Sequence, residues 1–394
     1  MRITGMRALL SLLLLAFTVG LAACGGDDEA APAEEPTAAT EKAAAGGVDP
    51  QEALAELEGA VLSKGPNGEE PSSPDEVVLA DDALAKVKAL NATAAIVMHF
   101  GGNDWSKAQV SGLEQQLGEL GIEVIAVTDA GFKPEKQVSD IETVLARNPD
   151  VIISIPTDPV ATAEAYRKAS NAGVKLVFMD NVPDGFKPGT DYVSVVSADN
   201  FGNGVASAHL MAEALEGKGK VGVVFHEADF FVTRQRYDAF KETIEENYPE
   251  IEIVAEQGIG GPDFAGDAEK AASAMLTQNS DLDGIWAVWD VPAEGVIAAA
   301  RAAGRDDLAI TTIDLGLNVA VEIARGGTVY GLGAQRPFDQ GVNEAKLAAY
   351  GLLGKKAPPY VALPALPVSK DNVLEAWDSV YHAPPPDSLA KAAG

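Results

Sequence analysis

From residue 94 onward the chain alternates short apolar runs with longer segments whose apolar residues recur at helical spacing, and this alternation constrains the fold more than any other feature. Residues 94–98, 123–127, 151–155, 175–179 and 192–196 read as strands. The stretch 134–147 puts Val138, Ile141 and Leu145 on one helical face, and Pro134 suits its first turn. Strand and helix in strict alternation predict right-handed βαβ units and a parallel sheet covered on both faces. The pattern restarts after Ala198 with helices over 200–216, 233–248, 264–278 and 292–303 and strands over 220–225, 251–255, 284–288 and 308–313. A strand over 329–332 and a helix over 338–353 follow. So many strands exceed one comfortable open sheet, and the expected fold class is α/β with two Rossmann-like lobes. Lobe one takes residues 93–197 with 335–364, lobe two takes 198–334, and 365–394 form a C-terminal segment and tail. The lobes are joined by a hinge of several crossings, near 198–200 and 333–335.

Charge narrows the partners. A net charge of −30 leaves no basic surface to displace counterions, which argues against nucleic acid and anionic lipid as partners and favours a neutral or cationic ligand. The lone cysteine, Cys24, excludes an intrachain disulfide and a cysteine-based metal site. Its context explains it: Arg2 and Arg7 precede an apolar stretch over 8–19, and Ala22 and Ala23 follow, so 1–23 read as a secretory signal. Leu21-Ala22-Ala23-Cys24 also has the form of a bacterial lipobox, with Cys24 the lipidated first residue of the mature chain. No later run approaches the roughly 20 apolar residues of a membrane span, so the membrane is expected to be reached through the lipid alone. Residues 24–92 are expected to be an acidic, disordered tether. Over 25–74 they are rich in Ala, Glu, Pro, Gly and Asp and poor in aromatic and β-branched residues, with at most a short alanine-faced helix over 51–62.

In open α/β sheets a ligand sits beyond the carboxyl ends of the strands. There the sequence places His99, Asn103 and Trp105 after the first strand and Asp180 and Asn181 after the fourth. Trp289 and Asp290, Asp314, and Gln335 stand at the matching points of the second set. Carboxylates and amides that bond adjacent hydroxyls, beside aromatic faces, suit a small neutral sugar or polyol.

The chain resembles the ribose-type sugar-binding proteins of the type I periplasmic-binding superfamily. Pro156-Thr157-Asp158, Asp180 closing Leu176-Val177-Phe178-Met179, Arg236 four residues before Phe240, and Ala334-Gln335 before Pro337 carry that resemblance over residues 94–369. It implies that Asn103, Trp105, Asp180, Arg236, Phe264, Asp290, Asp314 and Gln335 line a cleft, and that Asp158 serves as a helix cap. Three positions depart from the family pattern. His99 replaces a small hydroxyl residue, Trp289 an asparagine and Asn181 an arginine, giving more aromatic bulk and less positive charge.

Each residue has a plainer reading. Trp105 and Trp289 could be core tryptophans, although their place beside the strand ends favours ligand contact, and the two are expected to hold one ring between them. Asp180, Asp290 and Asp314 could cap the next helix or turn, Arg236 could be a solvated helix residue, and Phe264 could be a staple to the core. His99 serves equally well as a core histidine or a ligand.

Catalytic patterns are missing. His226-Glu227 lacks the second histidine of the zinc-protease motif, and 258–262 lack the third glycine of the dinucleotide fingerprint. The four histidines are scattered, so neither a triad nor a metal site is indicated, and no cofactor is expected. The expectation is a monomeric, exported, lipid-anchored binding protein that hands its solute to an ABC transporter permease. A sensor docking on a membrane receptor and an exported α/β enzyme are the rivals.

Overall fold

The computed structural model describes residues 47–228 and 230–394. The stretch read as a signal and Cys24 lie outside the described residues. Among the latter, no helix is long and apolar enough to cross a membrane.

Two helices, α1 (Pro50–Glu56) and α2 (Asp81–Leu90), precede the first lobe. Its elements are β1 (Thr93–Met98), α3 (Asp104–Leu120), β2 (Glu123–Asp129), α4 (Pro134–Leu145), β3 (Val151–Ser154), α5 (Ala163–Asn171), β4 (Lys175–Met179) and β5 (Ser194–Ala198). The chain then crosses into α6 (Asn200–Ala214), β6 (Lys218–His226), α7 (Phe231–Asn247), β7 (Glu250–Ile259), α8 (Phe264–Gln278) and β8 (Gly284–Ala287). The second lobe continues through α9 (Asp290–Ala303), β9 (Ala309–Ile313), α10 (Leu317–Ala324) and β10 (Val329–Ala334). A return to the first lobe supplies α11 (Pro337–Leu352) and β11 (Tyr360–Leu363), and a last crossing supplies β12 (Leu366–Ser369), α12 (Val373–Tyr381) and α13 (Asp387–Ala392).

Each lobe holds one six-stranded sheet, ordered β11-β5-β4-β3-β1-β2 and β12-β10-β9-β8-β6-β7. Every pairing is parallel except the edge pair β10–β12. The alternation of the sequence maps onto this because the inner strands are covered on both faces: β3, β5 and β8 are buried along their whole length. Helix ends follow local chemistry. Asn103 Oδ1 accepts the Ser106 N–H at 2.9 Å to start α3, and Gly121, at φ 71°, ends it in the left-handed region that glycine enters without strain. Helices α3 and α11 pack with backbones nearly touching. A Cβ on Gly112 would stand 2.1 Å from the Phe338 carbonyl oxygen, so only glycine fits there.

Two expectations are corrected. Residues 47–92 were expected to form part of a disordered tether, yet they are built into the molecule. Helix α1 reaches α6 of the second lobe, where the Gln51 amide donates to Glu213 at 2.9 Å. The chain then runs along the first crossing, and Ser72 pairs with β11 of the first lobe through Ser72 N–H to Tyr360 O at 3.0 Å and Ala362 N–H to Ser72 O at 3.2 Å. Hydrogen bonds to distant residues, together with burial of Val77 and Val87 in the first lobe's core, order this strap, and composition gave no sign of it. The C-terminal segment is likewise more than a tail. It carries the antiparallel edge strand of sheet two and buries Val368, Val373, Trp377, Val380 and Leu389 in the second lobe's core.

Candidate functional site

The carboxyl ends of both sheets meet at a cavity of about 200 Å³ between the lobes, small beside the roughly 300–1,000 Å³ of pockets for drug-sized ligands. Nine of the eleven residues expected at the site line it: His99, Asn103, Trp105, Asp180, Arg236, Phe264, Trp289, Asp314 and Gln335. Two do not. The left-handed turn at Asp180 (φ 55°) takes the chain off its strand, and Asn181 stays buried outside the lining. Asp290 begins α9, accepts the Val291 N–H at 2.9 Å, and lines a separate chamber of about 340 Å³ at the mouth, which shares Asn103, Phe132, Phe264 and Trp289 with the main cavity. A larger hollow of about 500 Å³, beside the start of β4 and the turn after α11, contains none of the expected residues.

Sequence reasoning missed Phe132, Thr157, His226, Phe230 and Thr233, which also line the cavity. All stand at or just beyond strand ends, so the rule that found the others would have reached them had it been carried around every loop. Asp158, read as a cap, accepts the N–H groups of Val160 and Ala161 at 2.8 and 2.7 Å. It also stands in the lining.

Asp180 and Asp314 occupy matching places, at the ends of β4 and β9, and both take positive φ, 55° and 71°. Non-glycine residues in this region are uncommon and gather at functional sites, and aspartate tolerates it better than most. A buried chain of hydrogen bonds links the two across the hinge. Gln335 Nε2 donates to Asp314 Oδ1 at 2.7 Å, and Arg236 Nη1 donates to Asp314 Oδ2 at 3.2 Å. Arg236 Nε donates to Asn200 Oδ1 at 2.8 Å, Asn200 Nδ2 to Ser197 Oγ at 3.0 Å, and Ser197 Oγ to Asp180 Oδ1 at 2.7 Å. Ser197 and Asn200 stand at the first crossing, so the polar groups of the two lobes are registered through the hinge itself.

Several polar atoms are left over. His99 Nδ1, Trp105 Nε1, Thr157 Oγ1 and Gln335 Oε1 belong to lining residues, are buried, and have no protein partner. Buried polar groups are nearly always paired, so a cluster of orphans around one cavity points to a ligand or ordered water that completes them. Electrostatics add to this. Burial, helped by the nearby His226, pushes His99 down to about 3, and burial with Arg236 close by pushes His226 down to about 4, so both rings are neutral at pH 7. Burial raises Asp180 to about 6 against the opposing pull of Ser197 and Arg236. Behind it the fully buried Glu344, bonded by the Gln109 amide, is held well above the usual carboxylate range by burial and by Asp180.

Rings close the cavity. Phe132 of the first lobe meets Phe264 of the second at 5.3 Å between centroids, nearly edge to face, and His99 stacks on Phe230 at 6.3 Å. Trp289 stands edge-on to Phe264 at 4.9 Å and to His226 at 5.4 Å, while Trp105 stands edge-on to His99 at 6.0 Å. At the mouth the Leu317 N–H, first in α10, donates to Asp104 Oδ2 of the opposite lobe at 3.1 Å. The lobes are therefore in contact, with the cavity between them. Among the described residues no cluster of His, Cys, Asp and Glu is placed to hold a metal ion.

The comparisons with known proteins agree with this geometry. The sequence matches the periplasmic binding protein domain over residues 94–356. It is similar to the D-apiose import binding protein of Actinobacillus succinogenes, 29% identical over 265 residues, covering 67% of this chain and 83% of that protein. It is also similar to the ribose import binding protein of Salmonella typhimurium, 24% identical over 282 residues that cover 70% of this chain and 90% of the relative. Among solved structures, an ABC sugar transporter subunit from Rhodobacter sphaeroides matches with a TM-score of 0.64 and 28% identity, over 71% of this chain and 99% of that one. A solute-binding protein from Actinobacillus succinogenes with bound D-allose gives a TM-score of 0.64 and 26% identity, over 72% and 99% of the respective chains. The two-lobed fold, the strand-end cavity and the match across two thirds of its length establish that the chain belongs to the periplasmic binding protein family, whose members compared here are solute-binding proteins and not enzymes.

Proposed function

We propose that this chain captures a small sugar or polyol between its two lobes outside the cytoplasmic membrane, where a lipid on Cys24 anchors it, and passes the solute as a monomer to an ABC importer. The observation that carries the reading is the cavity of about 200 Å³ between the lobes, whose lining combines five aromatic side chains, two of them tryptophans, with unpaired buried polar atoms. Hydroxyls supply donors and acceptors for those atoms, and the apolar face of a sugar ring covers aromatic carbon. Relatives named for apiose and ribose import support the same solute class.

A transporter can read such a protein because ligand contacts made by both lobes favour the closed form over the open one. Calorimetric titration against pentoses, hexoses and cyclic polyols tests the reading. At least one is expected to bind with one-to-one stoichiometry, and Arg236→Ala to weaken it by about tenfold or more, because the charge-assisted bonds that place Asp314 and Asn200 are lost. Binding by none of them would overturn the solute class. For the anchor, Cys24→Ser is expected to move folded protein into the soluble fraction with its affinity unchanged, and retention with membranes would contradict lipidation.

A further inference from the structure

We infer that the cleft selects a sugar or polyol bearing a protonated amino group over the neutral compound with a hydroxyl at the same position. The inference rests on the reading just given, that the cavity is a solute site, and adds the charge the solute carries.

Among the described lining residues Arg236 is the one lysine or arginine, while Asp158, Asp180 and Asp314 are carboxylates. Arg236 is committed: its guanidinium bonds Asn200 Oδ1, the Val288 carbonyl at 3.3 Å, and Asp314. The ion pair with Asp314 thus uses the cationic charge of the cleft. Asp158 gives Oδ1 to its own turn and is only half-buried.

Asp180 is different. It is 3% exposed, its Oδ1 takes the Ser197 hydroxyl, and its Oδ2 has no protein partner among the described residues. No cation is bonded to it, and the buried Glu344 behind it adds a second carboxyl group to the same region. The two histidines bring no charge either, since burial keeps both neutral. Burial holds Asp180 itself above the usual carboxylate range, and the Arg236 guanidinium, already paired with Asp314, only partly offsets it.

A neutral hydroxyl gives such a carboxylate one hydrogen bond and leaves its charge uncompensated. An ammonium group gives up to three donors and the missing charge, and both are worth more inside a closed, low-dielectric cavity than in water. The remaining walls suit the same group. The rings of Phe230, Phe264 and Trp289 line the cavity, and π faces attract cations. Asp104 and Glu294 line the adjoining chamber at the mouth, so the approach is also negative. The same charges disfavour sugar acids and sugar phosphates.

The test pairs each neutral compound with its amino counterpart: D-glucose with D-glucosamine, D-galactose with D-galactosamine, and myo-inositol with its monoamino derivative, all titrated calorimetrically at pH 6.5, with a thermal melt as a control for folding. In at least one pair the amino compound is expected to bind about tenfold tighter or more, and Asp180→Asn to remove most of that preference while the neutral member loses less. Equal or weaker binding of the amino member in every pair that binds overturns the inference and leaves the sugar or polyol reading standing. A preference that survives intact in a folded Asp180→Asn protein also overturns it, since the charge would then be read elsewhere. If neither these compounds nor any member of the neutral panel binds, the solute reading falls and the inference with it.

Discussion

Closure of the lobes is held in part by a bond that no ligand touches, and its removal separates the energetics of closure from those of binding. Asp104 begins α3 in the first lobe, and its Oδ2 accepts the N–H of Leu317, the first residue of α10 in the second, at 3.1 Å. Helix α10 lacks a side-chain cap of its own, because its N-cap is Gly316. The opposite lobe therefore supplies the cap, and does so only when the cleft is shut. A carboxylate at a helix N-terminus gains from a charge-assisted hydrogen bond of about 1.5–3 kcal/mol and from the helix dipole. The Asp104 side chain is 36% exposed and also faces Lys107, so screening reduces the net effect to about 1 kcal/mol. About 1 kcal/mol is a factor of roughly five in the closed-to-open ratio. Asp104→Ala is accordingly expected to weaken a neutral ligand about fivefold, chiefly through faster release, although Asp104 lies outside the main cavity's lining. Stopped-flow tryptophan fluorescence gives the release rate and solution scattering the degree of closure. Unchanged release and unchanged compaction in Asp104→Ala would refute the reasoning, since the bond would then contribute nothing to the closed state.

Other consequences follow from the same geometry. Asp180 is raised from 3.8 to about 6 in the closed, ligand-free cleft, so protonation stabilises that form below its ordinary pKa and the contribution is lost as pH rises through about 6. A ligand that donates to the ionised carboxylate therefore binds more weakly as pH falls from 7 to 5, by several-fold in calorimetry, and a flat profile would contradict the assignment. Asp199 is 1% exposed, caps α6 through Gly202 N–H, and holds the strap through the Leu62 and Ser63 N–H groups and the Ser63 hydroxyl at 2.7–2.8 Å. Asp199→Ala should cost about 3 kcal/mol of stability and expose residues 57–72 to protease, whereas wild-type resistance would show that the strap is held elsewhere. Trp289→Ala removes edge contacts with Phe264 and His226 and should weaken binding by at least the roughly 0.5–1.5 kcal/mol that such contacts add beyond buried area. Wild-type affinity would make Trp289 a packing residue.

The parts of this molecule that could be read in its sequence are those whose physics is local. Strands such as β3 and β8 are apolar from end to end because both faces are covered, and helices such as α4 show their buried face as a spacing, so two parallel sheets were legible. Strand ends point to a cavity by topology, which is why the lining residues His99, Asp180, Trp289, Asp314 and Gln335 were within reach. Asp290 follows the same rule in sequence but begins a helix and accepts a backbone N–H, a difference of one residue that alternation does not resolve. The strap was illegible because its order comes from partners far away in sequence: Asp199, Tyr360 and Glu213. Ser197 and Asn200 were missed for a related reason. Asn200 fell within the expected crossing and Ser197 just before it, yet their part in joining Asp180 to Arg236 emerges only when both lobes stand side by side.

The most direct measurement of the central claim is a crystal structure of the protein with the tightest ligand of the titration panel. One molecule is expected between the lobes, with its polar atoms within about 3 Å of Trp105 Nε1, Gln335 Oε1 and the free oxygen of Asp180, so that the atoms now lacking partners acquire them. A ligand bound outside this cavity, or one inside it that leaves those atoms unpaired, would contradict it.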